Sequence, residues 1–488
     1  MDIEKSEAGQ AAICSDTQSV NWVQYASSFF SGLLRKPYPE IPHLAGNLFS
    51  GRLTSLEKEG LFETLLAAQR LLENHPSRMC SFWVGNKCVL LITKPQDIYT
   101  IKIKYRNIFK DELETINVSN DNNSSILTEE GKKWKEKRDI YTRHLNAYQL
   151  SKKVQLIVKE YMGYIHTNTG NEINLKDLFT RFSLTLNVNL LMGIPISDTK
   201  NLVRFMDYQE KIDSVFDDPY TLFGLQKKES YFHNATVLYQ ELIRTITIDK
   251  EGLIGDIAKL NKKVNKNCDL MEAKNILADF NLLFFAGVGT NSFVLESLIY
   301  TLSQYPQVEK KVRTEIRKEL QGKKINFESL KKLVYLDSVI KEVLRLYPPI
   351  IFPREVAKSF NLNGLDVKKG NMIFLAPYLT HRLYDVWKNP DHFIPERFTE
   401  EVKPVHGSYY PFGLGKRRCP GEQHASMAIK LFIANIYNCY EISLVKEPSD
   451  LILKSGIFCY KNPAVACFSL NAPDNVQNET SKPALLRI

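Results

Sequence analysis

The segment Tyr410-Pro-Phe-Gly-Leu-Gly-Lys-Arg-Arg-Cys419-Pro-Gly-Glu-Gln-His-Ala425 carries one cysteine from a turn-rich stretch to the start of an apolar helical run. A cysteine alone is more often an inert core residue. Here Arg417 and Arg418 precede it and the following helix directs its N-terminal amides at the sulfur, so charge and dipole both favour a thiolate. Glycines at 413, 415 and 421 remove side chains where the loop must pass close to something flat and bulky. Glu342 and Arg345 stand three apart on one helix face, and Pro348 and Pro349 end that helix. Such a pair is ordinarily exposed, but Val343, Leu344 and Leu346 surround this one and predict burial, where both charges must be fully partnered. A long apolar helix through Phe284-Phe-Ala-Gly-Val-Gly-Thr290-Asn291 carries two interior glycines. Each costs about 1 kcal/mol against alanine, which a merely structural helix seldom carries. Trp134 and Arg138, four apart on a strongly basic helix, read on their own as part of a solvated face.

These residues need elements to hold them. Helical periodicity runs over 156–165, 178–191, 271–304 and 330–346. Strands are expected at 81–84 and 87–93, separated by the hairpin signal Gly85-Asn86, and a second strand-rich patch at 360–375. Prolines 37, 39 and 42 mark an extended lead-in, and 117–125 reads as a polar loop. The expected architecture is mainly α with a small β region: a tail over 1–36, one catalytic domain over 37–472 and a polar tail over 473–488.

The cysteine segment matches Phe-x-x-Gly-x-Arg-x-Cys-x-Gly at every specified position, through Phe412, Gly415, Arg417, Cys419 and Gly421. It resembles the haem-binding loop of the cytochrome P450 superfamily, and the resemblance extends over nearly the whole chain. It implies haem b with Cys419 as axial thiolate ligand. The family adds a third partner to Glu342 and Arg345 from Pro-Glu-Arg-Phe, here Pro395, Glu396, Arg397 and Phe398, so Glu342, Arg345 and Arg397 are expected to support the cysteine loop. By the same resemblance Trp134, Arg138, Arg354 and Arg417 face the haem propionates, where guanidinium forks suit carboxylates. Ala286, Gly287 and Thr290 match the helix that crosses the distal side of the haem, whose small residues admit dioxygen and whose threonine assists proton delivery.

Two positions depart from the family pattern. The acidic residue usual just before the threonine is replaced by Gly289. Cleaving an O–O bond needs protons, so water held by Thr290 and Asn291 becomes the expected source. A partner-independent peroxygenase, isomerase or dehydratase stays an alternative, as does a non-catalytic haem-binding protein. His424, five residues past Cys419, replaces a usually apolar position and is expected to pack rather than to ligate. Phe284, Phe285, Val288, Ile350, Ile351, Phe352, Ile457 and Phe458 are expected to line an apolar pocket, with core packing as the alternative for each. Such a lining suits a fatty acid, terpenoid or sterol-like substrate. The expected activity is insertion of one oxygen atom from dioxygen, with electrons from an acidic redox partner, an NADPH reductase or a ferredoxin. That partner would dock on Lys132, Lys133, Lys135, Lys137, Arg138, Lys416 and Arg418.

Composition agrees with a globular enzyme. The 488 residues are 44% apolar and 24% charged, which excludes disordered and collagenous classes. A net charge of +9 is modest for this length and gives no reason to expect nucleic acid. The 8 cysteines include no CxxC pair, which argues against structural zinc and for reduced, intracellular thiols. The start MDIEKSEAGQ lacks a signal peptide's basic-then-apolar pattern, and segment 22–34 is too short and polar to span a bilayer. A cytoplasmic protein is expected, with 22–34 either packed on the body or lying in a membrane interface.

Overall fold

The computed structural model describes residues 38–46, 52–73, 75–85, 87–104, 109–110, 125–127, 129–191, 203–210, 252–264, 273–320, 325–399, 404–454 and 457–471. Segment 22–34, most of the 117–125 loop and the 473–488 tail lie outside them. The labelled helices are α1 (Leu53–Leu72), α2 (Pro95–Lys104), α3 (Gly131–His144), α4 (Ala147–Thr167), α5 (Leu175–Leu186), α6 (Leu253–Val264), α7 (Ala273–Gln304), α8 (Pro306–Leu320), α9 (Phe327–Lys332), α10 (Val334–Leu346), α11 (Pro377–Thr380) and α12 (Glu422–Cys439). The strands are β1 (Met79–Val84), β2 (Lys87–Ile92), β3 (Phe109–Lys110), β4 (Glu172–Asn174), β5 (Phe352–Val356), β6 (Phe360–Leu362), β7 (Leu365–Val367), β8 (Met372–Leu375), β9 (Tyr440–Lys446), β10 (Ser449–Lys454), β11 (Ile457–Asn462) and β12 (Val465–Leu470).

The largest sheet runs β1-β2-β8-β5-β3. Its β1–β2 hairpin turns at Gly85, whose φ of 55° is the left-handed conformation that glycine adopts freely. The β2–β8 pair is parallel, and β2 there reads as a continuous apolar run from Cys88 to Ile92, buried on both faces. A three-stranded sheet β4-β12-β9 and the pairs β10-β11 and β6-β7 complete the β structure among the described residues.

The principal core surrounds α7, which packs on α5, α6, α10 and α12. Phe432 of α12 anchors one side, with ring centroids 4.1 Å from Phe182 and 5.9 Å from Phe179. The stretch Ala278–Gln304 of α7 is long and apolar enough to cross a membrane by length and composition, but it is mostly buried inside the fold.

Two helices depart from the sequence expectation. The 330–346 pattern breaks at Leu333 (φ −80°, ψ 70°), separating α9 from α10, and the 178–191 pattern ends as a π-helical turn over Asn187–Leu191. The residue before the double proline, Tyr347, leaves helical geometry at ψ 59°, as steric pressure from a following proline ring dictates.

One buried carboxyl ties α7 to the sheet. Glu296 is 2% exposed and its Oε1 accepts the Ala464 N–H at 2.7 Å. Burial raises its pKa from 4.5 to about 7, partly opposed by that hydrogen bond and by Lys176. Between these values the native state keeps a proton that the unfolded chain has released, so stability falls as pH rises through the window and the deficit is complete above it. At ~1.4 kcal/mol per pH unit the deficit is about 3 kcal/mol. Glu296→Gln keeps an acceptor for Ala464 and is expected to abolish this slope and raise stability at pH 8, measured by urea unfolding across pH. An unchanged slope would show that Glu296 is ionised throughout.

Candidate active site

Cys419 lies between a 3₁₀ turn over Gly415–Arg417 and the start of α12. Its N–H donates to the Phe412 carbonyl at 2.9 Å and closes the loop on itself, while Phe412 packs its ring against the principal core. Gly413 has φ 76°, and a methyl group there would stand 3.1 Å from the Phe352 ring, so only glycine lets the loop lie on that ring. The thiol is solvent-accessible, yet enough protein surrounds it that desolvation raises its pKa. The Gly421 N–H, Arg138 and Arg418 oppose this, and Glu422 adds to it. The Gly421 N–H at the start of the helix and the Arg138 and Arg418 charges thus act on the sulfur in the direction the sequence predicts, against the cost of burial.

Glu342 and Arg345, both 0% exposed, form a bidentate pair: Arg345 Nε and Nη2 each donate to one Glu342 oxygen at 2.8 Å. Arg345 also donates to the carbonyls of His381 (2.8 Å), Pro390 (2.7 Å) and His392 (3.0 Å). Arg397 Nε joins Glu342 Oε1 at 3.2 Å, beside the Ile394 N–H at 2.9 Å.

Sequence reasoning missed the residue that connects this pair to the cysteine loop. His381 is fully buried; its Nδ1 meets the Arg345 carbonyl at 3.2 Å and its Nε2 accepts the Tyr410 N–H at 3.0 Å. These partners fix the neutral tautomer with hydrogen on Nδ1, and burial with the Arg345 charge holds the ring well below the usual histidine range. No motif or periodicity marks the segment around it.

Arg417 stacks over the Trp134 ring at 4.7 Å and donates to the carbonyls of Ile126 (3.0 Å) and Glu129 (2.6 Å). Arg138 reaches the Arg418 carbonyl at 2.7 Å. Arg354 and Arg417 line one cavity together with Phe352, Tyr410 and Lys102. Lys102, on α2, was not singled out from the sequence because no motif contains it.

On α7, Thr290 Oγ1 donates to the Ala286 carbonyl at 2.7 Å and Asn291 Nδ2 to the Gly287 carbonyl at 3.0 Å, both one turn back. Sterics require only the first of the two glycines. A methyl at 287 would overlap the buried side chain of Asn187, so Gly287 admits the π-helical turn, whereas a methyl at 289 would stand 3.5 Å from Ile457 Cδ1.

The expected pocket residues divide. Ile350 and Ile457 form a β-bridge beside Gly289, and Phe285 and Val288 share the core cluster of Ile457. Phe284 instead is fully buried against the rings of Tyr208, Phe280 and Phe205. Phe458 is fully buried against Phe62 and Tyr378, with Ile351 in the same cluster, and Phe352 lies against the cysteine loop. Phe284 and Phe458 are thus core residues, because ring packing saturates their surfaces. His424 is buried, which lowers its pKa to about 4.

The basic stripe also needs correction. Lys137 is completely buried and paired with Asp279 at 2.6 Å, so it belongs to the interior. Lys133 pairs with Glu129 at 3.3 Å and Arg418 with Glu422 at 2.5 Å, leaving Lys132, Lys135 and Lys416 as the exposed lysines of that face.

A model of the cytochrome P450 family matches residues 47–468. The chain belongs to the cytochrome P450 family. It is 29% identical to cytochrome P450 6l1 of Blattella germanica, over 80% of this chain and 82% of that protein. It is 27% identical to cytochrome P450 3A12 of Canis lupus familiaris, over 76% and 80%, and 26% identical to germacrene A hydroxylase of Tanacetum parthenium, over 72% and 78%. The solved structure of retinoic acid-bound cyanobacterial CYP120A1 shares the fold, with a TM-score of 0.72 at 23% identity over 89% of this chain and all of that one. At family level a P450 is a haem monooxygenase with thiolate-ligated iron, and the family generally uses dioxygen, a small-molecule substrate and a redox partner. The residues present fit that group. Cys419 offers an accessible thiol on a loop that Gly413 lets lie on Phe352, and Arg354 and Arg417 line one cavity with Phe352 as donors suited to carboxylates.

Proposed function

We propose that the protein inserts one oxygen atom from dioxygen into a hydrophobic substrate of the fatty acid, terpenoid or sterol class. It would hold haem b through Cys419 and draw electrons from a separate acidic redox partner. The observation carrying the substrate class is the apolar flank of α7, where Gly289 faces Ile457 and Ile457 bridges Ile350. Such surface favours an apolar ligand by about 25 cal/mol per Å² removed from water. The similarity to germacrene A hydroxylase and to amorpha-4,11-diene 12-monooxygenase of Artemisia annua supports a terpenoid-sized substrate.

Haem, when bound, would supply oxygen activation, helped by electron density from the Cys419 thiolate. The chain's own residues do the rest. Arg354, Arg417, Arg138 and Trp134 would orient the group through its carboxylates. Thr290 gives its hydroxyl hydrogen to Ala286, so it presents lone pairs to the site and receives hydrogen from water. Asn291 likewise keeps Oδ1 as an acceptor while its Nδ2 is engaged. A water that donates one hydrogen to either of these acceptors keeps its second hydrogen for transfer and would serve as the proton source, in place of a carboxylate at 289. Lys132, Lys135 and Lys416 form the docking face for the partner, where opposite charge mainly speeds encounter.

Gly289 favours a second reading, a partner-independent peroxygenase or isomerase. Turnover of a terpenoid and fatty acid panel separates the two: product is expected with reductase and NADPH, and Thr290→Ala should lower product formed per NADPH by ~100-fold. Product with peroxide alone, and none with reductase, would establish the second reading.

A further inference from the structure

Asp279 and Lys137 form a buried charge pair that no family motif contains, and everything around it leads to the two sides of the site. Asp279 is 1% and Lys137 0% exposed. Asp279 Oδ2 accepts from Lys137 Nζ at 2.6 Å, and Oδ1 accepts from the Tyr141 hydroxyl at 3.1 Å and from the Ile126 N–H at 2.9 Å. The carbonyl of the same Ile126 accepts from Arg417 Nη1 at 3.0 Å. Lys137 and Tyr141 lie on α3, the helix whose Arg138 binds the Arg418 carbonyl.

Position on α7 gives the pair its leverage. Ala286 and Thr290 follow Asp279 by seven and eleven residues, which returns all three to one stripe of the helix. At 1.5 Å per residue they lie about 10 and 16 Å along the axis. A buried ion pair contributes little net stability, because desolvating two charges offsets their attraction; what it can do well is specify one arrangement.

We infer that Asp279 is a positioning residue that sets the register of α7, and with it Thr290, against α3 and the Arg417 side of the cysteine loop. One carboxylate thereby holds both sides of the site at a fixed separation. This rests on haem lying between Cys419 and Thr290.

The test uses the full-length haem protein and two variants. Asp279→Asn combined with Lys137→Met removes both charges without stranding either, and Tyr141→Phe removes a single hydrogen bond to Asp279. Haem transfer to excess apomyoglobin and the ferrous carbon monoxide spectrum are measured beside the unfolding midpoint. The double variant should lose haem about tenfold faster or more, as loss of an outer partner typically weakens a bound group. It should also lose part of its thiolate spectrum, and Tyr141→Phe should move both readouts the same way by less. A lowered midpoint with native haem transfer and spectrum in both variants would overturn the inference and leave the pair merely structural. If the double variant does not fold, native haem transfer in Tyr141→Phe is sufficient to overturn it. Absence of a thiolate spectrum in the unsubstituted protein would instead overturn the haem-thiolate reading beneath it.

Discussion

Cys419→Ala is expected to abolish the thiolate carbon monoxide spectrum and all haem-dependent turnover while leaving the fold in place. The expectation rests on what the other thiols can do. Cys80 and Cys88 are buried in the β1–β2 hairpin, and desolvation lifts both to about 12, far from the thiolate needed for ligation. Cys439, Cys459 and Cys467 are half-buried on the C-terminal end of α12 and on the strands that follow. Among the described cysteines Cys419 alone is exposed; desolvation raises it too, but the Gly421 N–H, Arg138 and Arg418 oppose that, and neither Cys80 nor Cys88 has such groups beside it. Its methyl replacement removes no core contact, since the side chain is accessible. Circular dichroism should therefore stay native while the spectrum is lost. A thiolate spectrum surviving in the variant would place the ligand on another cysteine.

Arg345→Ala should be the most damaging change to folding. It removes the five hydrogen bonds this guanidinium donates and leaves Glu342 charged at 0% exposure with Arg397 and the Ile394 N–H as remaining partners. Breaking a buried pair from one side costs about 3–5 kcal/mol. That is a large part of a typical stability of about 5–15 kcal/mol, so little haem-loaded protein should be recovered. Arg345→Lys should not rescue it, because one ammonium cannot reproduce a planar fork that serves a carboxylate and three carbonyls. Arg397→Ala should cost less, about 1.5–3 kcal/mol, since it removes a hydrogen bond to a carboxylate that Arg345 still satisfies. Recovery of normally folded, haem-replete Arg345→Ala protein would show that the pair does not support the loop.

What the sequence discloses about this molecule follows the range of the interactions involved. The cysteine loop, the Glu342–Arg345 pair and the β1–β2 hairpin are each specified within a few consecutive residues, by turn chemistry or helical spacing; the pair is buried and the hairpin pairs as expected. Lys137 was read as a surface charge because its partner, Asp279, lies 142 residues away. His381 escaped notice for the same reason: its ring joins Arg345 and Tyr410, and only the folded chain brings them together. Phe284 and Phe458 differ in kind. Both belong to apolar segments beside the site, but which face of a segment looks into a cavity depends on neighbours such as Tyr208 and Phe62 that no local pattern names. The roles of the propionate partners rest on the family resemblance together with the cavity that Arg354 and Arg417 share.

The three carbonyls gathered by Arg345 bear on how this chain can vary in length. Residues 381, 390 and 392 belong to a stretch with little regular secondary structure, of the kind that ordinarily accepts insertions at small thermodynamic cost. Here one guanidinium does what a strand ladder does elsewhere, receiving the backbone at fixed points. Between residues 390 and 392 an added or deleted residue would pull a carbonyl off its donor inside the core, whereas the longer span from 381 to 390 is pinned only at its ends. Variation in length is therefore confined to the span between 381 and 390, and the 390–392 turn is as fixed in sequence as a turn of helix.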